Sequence, residues 1–184
     1  KSFFKSLSDV YITQLEGNKR ADLLNIIRSA VFFKEDCVKT LINKKGKKSF
    51  RLEDLTKANH MEHLAHDAMG DVVATIELAK TIKEKIPEVW DQSLMNCHKN
   101  DVENFMFQNQ LFLHFDHSFG RVNSNFLTFL CAHPKYKYPQ CYDVSIDPEE
   151  LLNLNFGDLK KRMKEKPFFL KSIPHAKHPS IFKI

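Results

Sequence analysis

The chain has 184 residues, 42% of them hydrophobic, and its 28 Lys and Arg against 23 Asp and Glu give a formal net charge of +5, which suits a polyanionic partner without specifying one. This length can bury a sizeable core as one domain or two small ones, whereas no apolar run approaches the roughly 20 residues of a transmembrane helix and no signal peptide is visible. Cys37, Cys97, Cys131 and Cys141 form neither a CxxC pair nor a regular framework, so free thiols in a reducing compartment are expected rather than a disulfide scaffold.

In chain order, residues 1–16 predict a helix with Phe4, Leu7, Val10, Tyr11 and Leu15 on one side, followed by a turn at Gly17-Asn18. Residues 20–30 predict an amphipathic helix in which Asp22 serves as a cap or supports a neighbouring site residue, and Arg28 is structural or lies near a bound strand. Lys44-Lys45-Gly46-Lys47-Lys48 reads as a basic turn; most such runs are solvated loops, and the alternative is a phosphate contact. A short amphipathic helix then carries Leu52 and Leu55, and a loop runs through Asn59-His60-Met61-Glu62-His63.

The next helix places Ala68, Val72, Ile76, Ala79, Ile82 and Ile86 at three- and four-residue intervals, which predicts one buried face. Asp67 is its expected N-cap. His66 precedes the helix and Asp71 lies about a turn inside it, so both can be aimed at one point beside the N-terminus. Capping and dipole effects alone place His and Asp at many helix starts. A carboxylate and an imidazole that do converge there suit a divalent metal and an activated water.

After Ile86-Pro87 the helical pattern gives way to Trp90 and Leu94, and the polar stretch 96–104 that follows reads as a domain boundary and linker. Beyond it, Phe105-Met106-Phe107, residues 111–115, 126–131 and 141–144 are short apolar runs separated by polar turns, expected as strands of a small β-rich unit. Residues 147–152 and 155–166 suggest a turn and a short helix, and 168–173 a late strand. The pairs His114/His117, Cys131/His133 and His175/His178 lack the spacing of a structural zinc motif, so no zinc site is expected; His175 to Pro179 is read as a domain-packing or strand-facing surface. Most of the 16 phenylalanines are expected in the core, with one or two exposed rings available for base stacking.

The phrase FRLEDLTKAN from Phe50, followed by AHDAMGDVVATIELAK from Ala65, resembles the last motif of the DEDDh class of 3′→5′ exonucleases and is similar to the bacterial exonuclease I family. The run from Phe126 to Pro134 and the later FFLKSIPHAKHPSIF resemble that family's SH3-like domain. The resemblance implies an α/β fold: the C-terminal, largely helical half of a ribonuclease H-like exonuclease domain over 1–95, a linker over 96–104, and a small SH3-like β-barrel domain over 105–184. It implies a metal-dependent 3′→5′ exonuclease degrading single-stranded DNA in repair and recombination, with Asp71 helping to hold two Mg²⁺ ions (or Mn²⁺) and His66 as general base. Arg28, Arg51, Lys44, Lys45, Lys47 and Lys48 are then the candidate DNA contacts. The implied partners are single-stranded DNA and single-stranded DNA-binding protein, for a bacterial cytoplasmic monomer with no membrane association.

The family's Asp-x-Glu pair and middle Asp do not occur upstream of His66. Asp101-Val102-Glu103 and Asp147-Pro148-Glu149 have the spacing but follow the motif, and Phe115-Asp116 imitates the middle motif superficially. With Lys1 rather than Met at the start, the expectation is a truncated nuclease domain that does not hydrolyse DNA unaided. The alternative is a non-catalytic nucleic-acid or protein-binding module that keeps a degenerate nuclease half-domain.

Overall fold

A computed structural model describes residues 17–61, 68–116 and 122–184. The expected first helix (1–16) lies outside the described residues, as do His63, His66 and Asp67. The first described helix, α1 (Leu23–Phe33), starts where the Asp22 side chain accepts a hydrogen bond from the Leu24 amide, as its place before the periodic run predicts. Ile26, Ile27, Ala30 and Val31 form its buried stripe. A two-stranded hairpin, β1 (Leu41–Ile42) with β2 (Lys48–Ser49), leads into α2 (Leu52–Ala58). Asn59 at the end of α2 clamps the segment before β1: its side chain accepts from the Lys39 amide and donates to the Lys39 and Leu55 carbonyls.

Helix α3 (Ala68–Lys85) buries Ala74, Leu78 and Ile82, one residue per turn, and Ile86 continues the row. This corrects the expected face in part: Ile82 and Ile86 are buried as expected, but Ala74 and Leu78 take the places expected for Val72 and Ile76. Val72 and Ile76 are 52% and 48% exposed, and Met69 is 68% exposed. Positions two apart on a helix point about 200° away from each other, so a helix with two apolar stripes can bury only one against a single layer. Here packing against α1, α2 and α4 (Pro87–Met95) selects the Ala74 stripe.

The stretch 96–104 is not an extended linker: α5 (Lys99–Gln108) begins within it and also takes in Phe105-Met106-Phe107, expected as a strand. Val102 and Met106, four apart, supply its buried side, and that helical spacing outweighs the β preference of the phenylalanines. Buried Asn96 joins the sheet directly, donating from Nδ2 to the Ile181 carbonyl at 2.8 Å.

Five antiparallel strands follow: β3 (Phe112–Asp116), β4 (Asn123–Ala132), β5 (Pro139–Asp143), β6 (Leu170–Ser172) and β7 (Ser180–Lys183). Their order is β6-β5-β4-β3-β7. Two short helices, α6 (Glu149–Leu152) and α7 (Phe156–Arg162), lie between β5 and β6. The sheet stays open, with β6 and β7 as edges, so no closed barrel is present among the described residues. The chain between these edges is held on the helical layer instead of drawing them together. His178 there accepts from the Asp22 amide at Nδ1 (3.0 Å) and lies 2.9 Å from the Ser93 carbonyl at Nε2, a pairing that requires the neutral ring with its proton on Nε2.

Two cores result. The first joins α1, α3 and α4 to Leu113, Phe115 and Phe182. The second joins Val102 and Met106 of α5 to Phe112, Leu127, Cys141, Ile173 and Ile181. The division expected at 96–104 therefore does not separate the cores, because strand residues after it complete the helical one. His175 is buried beside the second core, its Nε2 3.7 Å from a Glu103 carboxylate oxygen; burial pushes its pKa below the usual histidine range, with Glu103 opposing and Lys99 assisting.

Leu78→Ala is expected to cost about 3 kcal/mol of unfolding free energy and Ile76→Ala about 1 kcal/mol or less, by urea denaturation; similar losses would place both stripes in the core. His175 is held neutral in the folded chain and binds its proton more readily when unfolded. The associated stability is complete above about pH 6.5 and falls as the pH decreases through that value. His175→Leu should flatten the decline in melting temperature between about pH 7 and pH 5, and an unchanged decline would assign it to other groups.

Candidate nucleic-acid interface

The basic run forms a fixed turn. Asn43 closes it by accepting from the Lys45 and Lys47 amides through Oδ1, at 2.9 and 3.1 Å, while its own amide donates to the Lys47 carbonyl. Gly46 takes φ +70°, a conformation open to glycine at little cost, and its amide donates to the Asn43 carbonyl. The turn therefore holds several lysine stems outward from one rigid base. The sequence pattern marked the charges, while Asn43 as the organiser was overlooked; its Asn followed three residues later by Gly was the available signal.

Across from the turn, α1 presents Arg28, whose guanidinium lies 5.7 Å from the Phe50 ring centroid. Arg51 follows at the start of α2. Arg28, Lys44, Lys45, Lys48, Phe50 and Arg51 line one open groove of about 780 Å³. Lys47 faces an adjoining recess of about 410 Å³ with Arg28, Phe32, Phe50 and Val122. All six predicted cationic contacts thus border one continuous region through Arg28, Lys48 and Phe50, which belong to both hollows. Phe50 and Phe32 were not singled out from the sequence, yet they give this region an aromatic floor.

Two carboxylates temper the charge. Glu35 pairs with Lys48 at 2.6 Å, and Asp54, a groove residue, accepts a hydrogen bond from the Ser49 hydroxyl. With Lys48 paired to Glu35, four further basic side chains stand against the Asp54 carboxylate, so the groove keeps a cationic excess. Such a surface attracts a flexible polyanion, and the partly exposed Phe50 ring with the Arg28 guanidinium over it adds a flat apolar element to the groove.

The second predicted site is only partly described. Asp71 stands half-buried in the first turn of α3, where its carbonyl accepts from the Thr75 hydroxyl at 2.7 Å. His66 lies outside the described residues, so its distance from Asp71 is not defined. Among the described residues no group of three His, Cys, Asp or Glu side chains is arranged to hold a metal ion. The four cysteines are free, and burial pushes the Cys141 thiol up to about 12, which makes it inert as a nucleophile at neutral pH. Among the described residues no helix is long and apolar enough to cross a membrane.

No protein-family model matches the chain. Exodeoxyribonuclease I of Escherichia coli K12 is 33% identical over 168 residues, covering 88% of this chain and 35% of that protein. The Haemophilus influenzae exodeoxyribonuclease I is 40% identical over 104 residues, covering 55% of this chain and 22% of that protein. This chain is similar to one part of exodeoxyribonuclease I. The structure agrees: E. coli exonuclease I in complex with a dT13 oligonucleotide superposes with a TM-score of 0.77 at 29% identity, over 99% of this chain and 42% of that one. The ExoI/SSB-Ct complex gives a TM-score of 0.76 at 29% identity, over 98% of this chain and 42% of that one. The similarity to exodeoxyribonuclease I thus runs through almost the whole described chain, which spans well under half of these relatives' length.

Proposed function

We propose that this chain is the strand-gripping and base-supplying part of a 3′→5′ exonuclease for single-stranded DNA of the exodeoxyribonuclease I kind, acting in DNA repair and recombination in the bacterial cytoplasm. The observation that carries the reading is the groove where Arg28, Lys44, Lys45, Lys48 and Arg51 converge around Phe50, in a chain similar along its length to a protein crystallised with dT13. Fixed cations grip the phosphates of a strand, and the ring and guanidinium faces contact its bases. By the same similarity, single-stranded DNA-binding protein is the proposed protein partner.

For hydrolysis, His66 is the proposed general base, taking a proton from the attacking water, because its unperturbed pKa lies close to working pH. Asp71 is the proposed carboxylate of the same centre. The metal is where the described residues fall short. A pair of Mg²⁺ ions needs several carboxylate oxygens, and the described residues offer no cluster of three ligands around Asp71. No step through a metal is therefore derived from this chain, and we expect it to bind a strand without cutting it. That donor set also favours a second reading, a binding module without catalysis. The proposed SH3-like relationship of the β-rich half rests on sequence resemblance, since the observed sheet is open.

Two measurements test these readings. In fluorescence anisotropy with labelled dT13, replacing Lys44, Lys45 and Lys47 together by Ala should weaken binding and lower the slope of log K against log salt by about 0.7 for each phosphate no longer neutralised. An unchanged slope would move the strand elsewhere. For catalysis, this segment is exchanged for its counterpart in E. coli exodeoxyribonuclease I. If the chimera releases nucleotides from a 3′ single-stranded end, His66→Ala should slow that release by roughly 10²–10⁴-fold. Asp71→Ala should nearly abolish it. Turnover near normal in either variant removes that residue from the site, and a folded but inactive chimera favours the binding module.

A further inference from the structure

The far end of the β4–β5 hairpin carries aromatic surface that no core uses. Its loop reads His133-Pro134-Lys135-Tyr136-Lys137-Tyr138, and every residue from Pro134 to Tyr138 is exposed. Tyr136 is 58% and Tyr138 37% exposed, yet their rings stack at 6.3 Å with 23° between planes. The His133 ring lies 5.0 Å from that of Tyr136, and Lys135 Nζ stands 5.3 Å over the Tyr136 centroid.

The loop is built to hold these rings still. His133 Nδ1 accepts from the Lys135 and Tyr136 amides at 3.2 and 3.1 Å. Its backbone amide donates to the Tyr138 carbonyl at 2.7 Å, and its carbonyl accepts from the Lys137 amide at 2.8 Å. Lys137 takes the left-handed conformation, φ +59°, that closes the turn. On its inner side Tyr138 meets the buried His175 ring edge-on at 5.8 Å, which anchors the platform to the body of the protein. A preorganised ring pair loses little freedom when something stacks on it.

We propose that Tyr136 and Tyr138, flanked by Lys135 and Lys137, form a second contact site for single-stranded DNA, in which a base packs against the exposed Tyr136 ring in place of the Lys135 ammonium while the lysines meet adjacent phosphates. The inference rests on the single-strand reading above and extends it. Aromatic faces interleaved with lysines match an unpaired strand, whose bases are free to stack, whereas a duplex conceals its base faces within the helix. The site is separate from the basic groove. Val122, on the wall of the groove's adjoining recess, immediately precedes β4, and the ten residues of β4 carry the chain about 30 Å to the tip. A strand long enough to touch both places is held at two points.

The test is anisotropy on the 184-residue chain with dT13 and with a longer oligothymidylate, alongside the groove variant and with circular dichroism to confirm folding. Tyr136→Ala should weaken binding of the longer strand about tenfold without changing its salt slope, and Tyr136→Phe should stay within about twofold of the parent. Lys135→Ala with Lys137→Ala should lower the salt slope by about 1. On an abasic strand, the parent and Tyr136→Ala should bind alike. Parent-like binding by Tyr136→Ala, with the groove variant still weakened, overturns the platform alone; so does an equal loss on the abasic strand. Tyr136-dependent binding of an acidic peptide, with the oligonucleotide indifferent to Tyr136, would make the tip a protein-docking surface instead. Failure of the parent chain to bind either oligonucleotide overturns both the platform and the groove.

Discussion

Strands β3 and β7 are buried on both faces, and that two-sided burial ties the helices to the sheet. Leu113 pairs across from Phe182, and both point into the core made by α1, α3 and α4, with Phe115 beside them. Phe112 and Ile181, one residue out of phase, point the other way into the core completed by α5. A slip of β7 by one residue would turn Phe182 away from the helical core and bring Ile181 and Lys183 to that face instead. Asn96 and His178 reinforce the register from the helical side, by a hydrogen bond to Ile181 and by contacts to Asp22 and Ser93.

That frame explains which parts of the fold were legible. The α1 start was readable because Asp22 and the 26-27-30-31 periodicity are local, and β3 because a short apolar run bounded by turn residues favours a strand. The buried face of α3 was not readable. Val72–Ile76 and Ala74–Leu78–Ile82 both satisfy helical spacing, and only the position of neighbouring helices decides between them. Phe105-Met106-Phe107 misled because phenylalanine favours strands in general, whereas Val102 and Met106 set a helical stripe that becomes visible only with the sheet in place. The tie of the chain before β7 to the helical layer was equally hidden, because the partners of His178 lie 85 and 156 residues away in sequence.

The candidate interface shows the same division between charge and placement. Each cation was visible as a charge, but nothing local indicates that Arg28 and the lysine turn share a groove; the β1–β2 hairpin and the Phe50 ring bring them together. Nor does sequence show that Glu35 takes up Lys48 or that Ser49 engages Asp54. These pairings matter because they reduce the net positive charge of the region and fix Lys48 and Asp54 in place. For Asp71 the limit was different. Its proposed role rests on sequence resemblance, and the described residues around it hold no group of three side chains arranged for a metal ion.

The pairing of β7 with β3 has a consequence for how the polypeptide is made. Leu113 and Phe115 leave the ribosome well before residues 180–183, so the nascent chain carries an uncovered apolar edge while the next seventy or so residues are synthesised, about 4–14 s at usual elongation rates. Pairings this distant in sequence raise the contact order and slow the final closure. Until β7 arrives, β3 offers free backbone groups beside exposed phenylalanine, a combination that invites pairing with other unfinished chains.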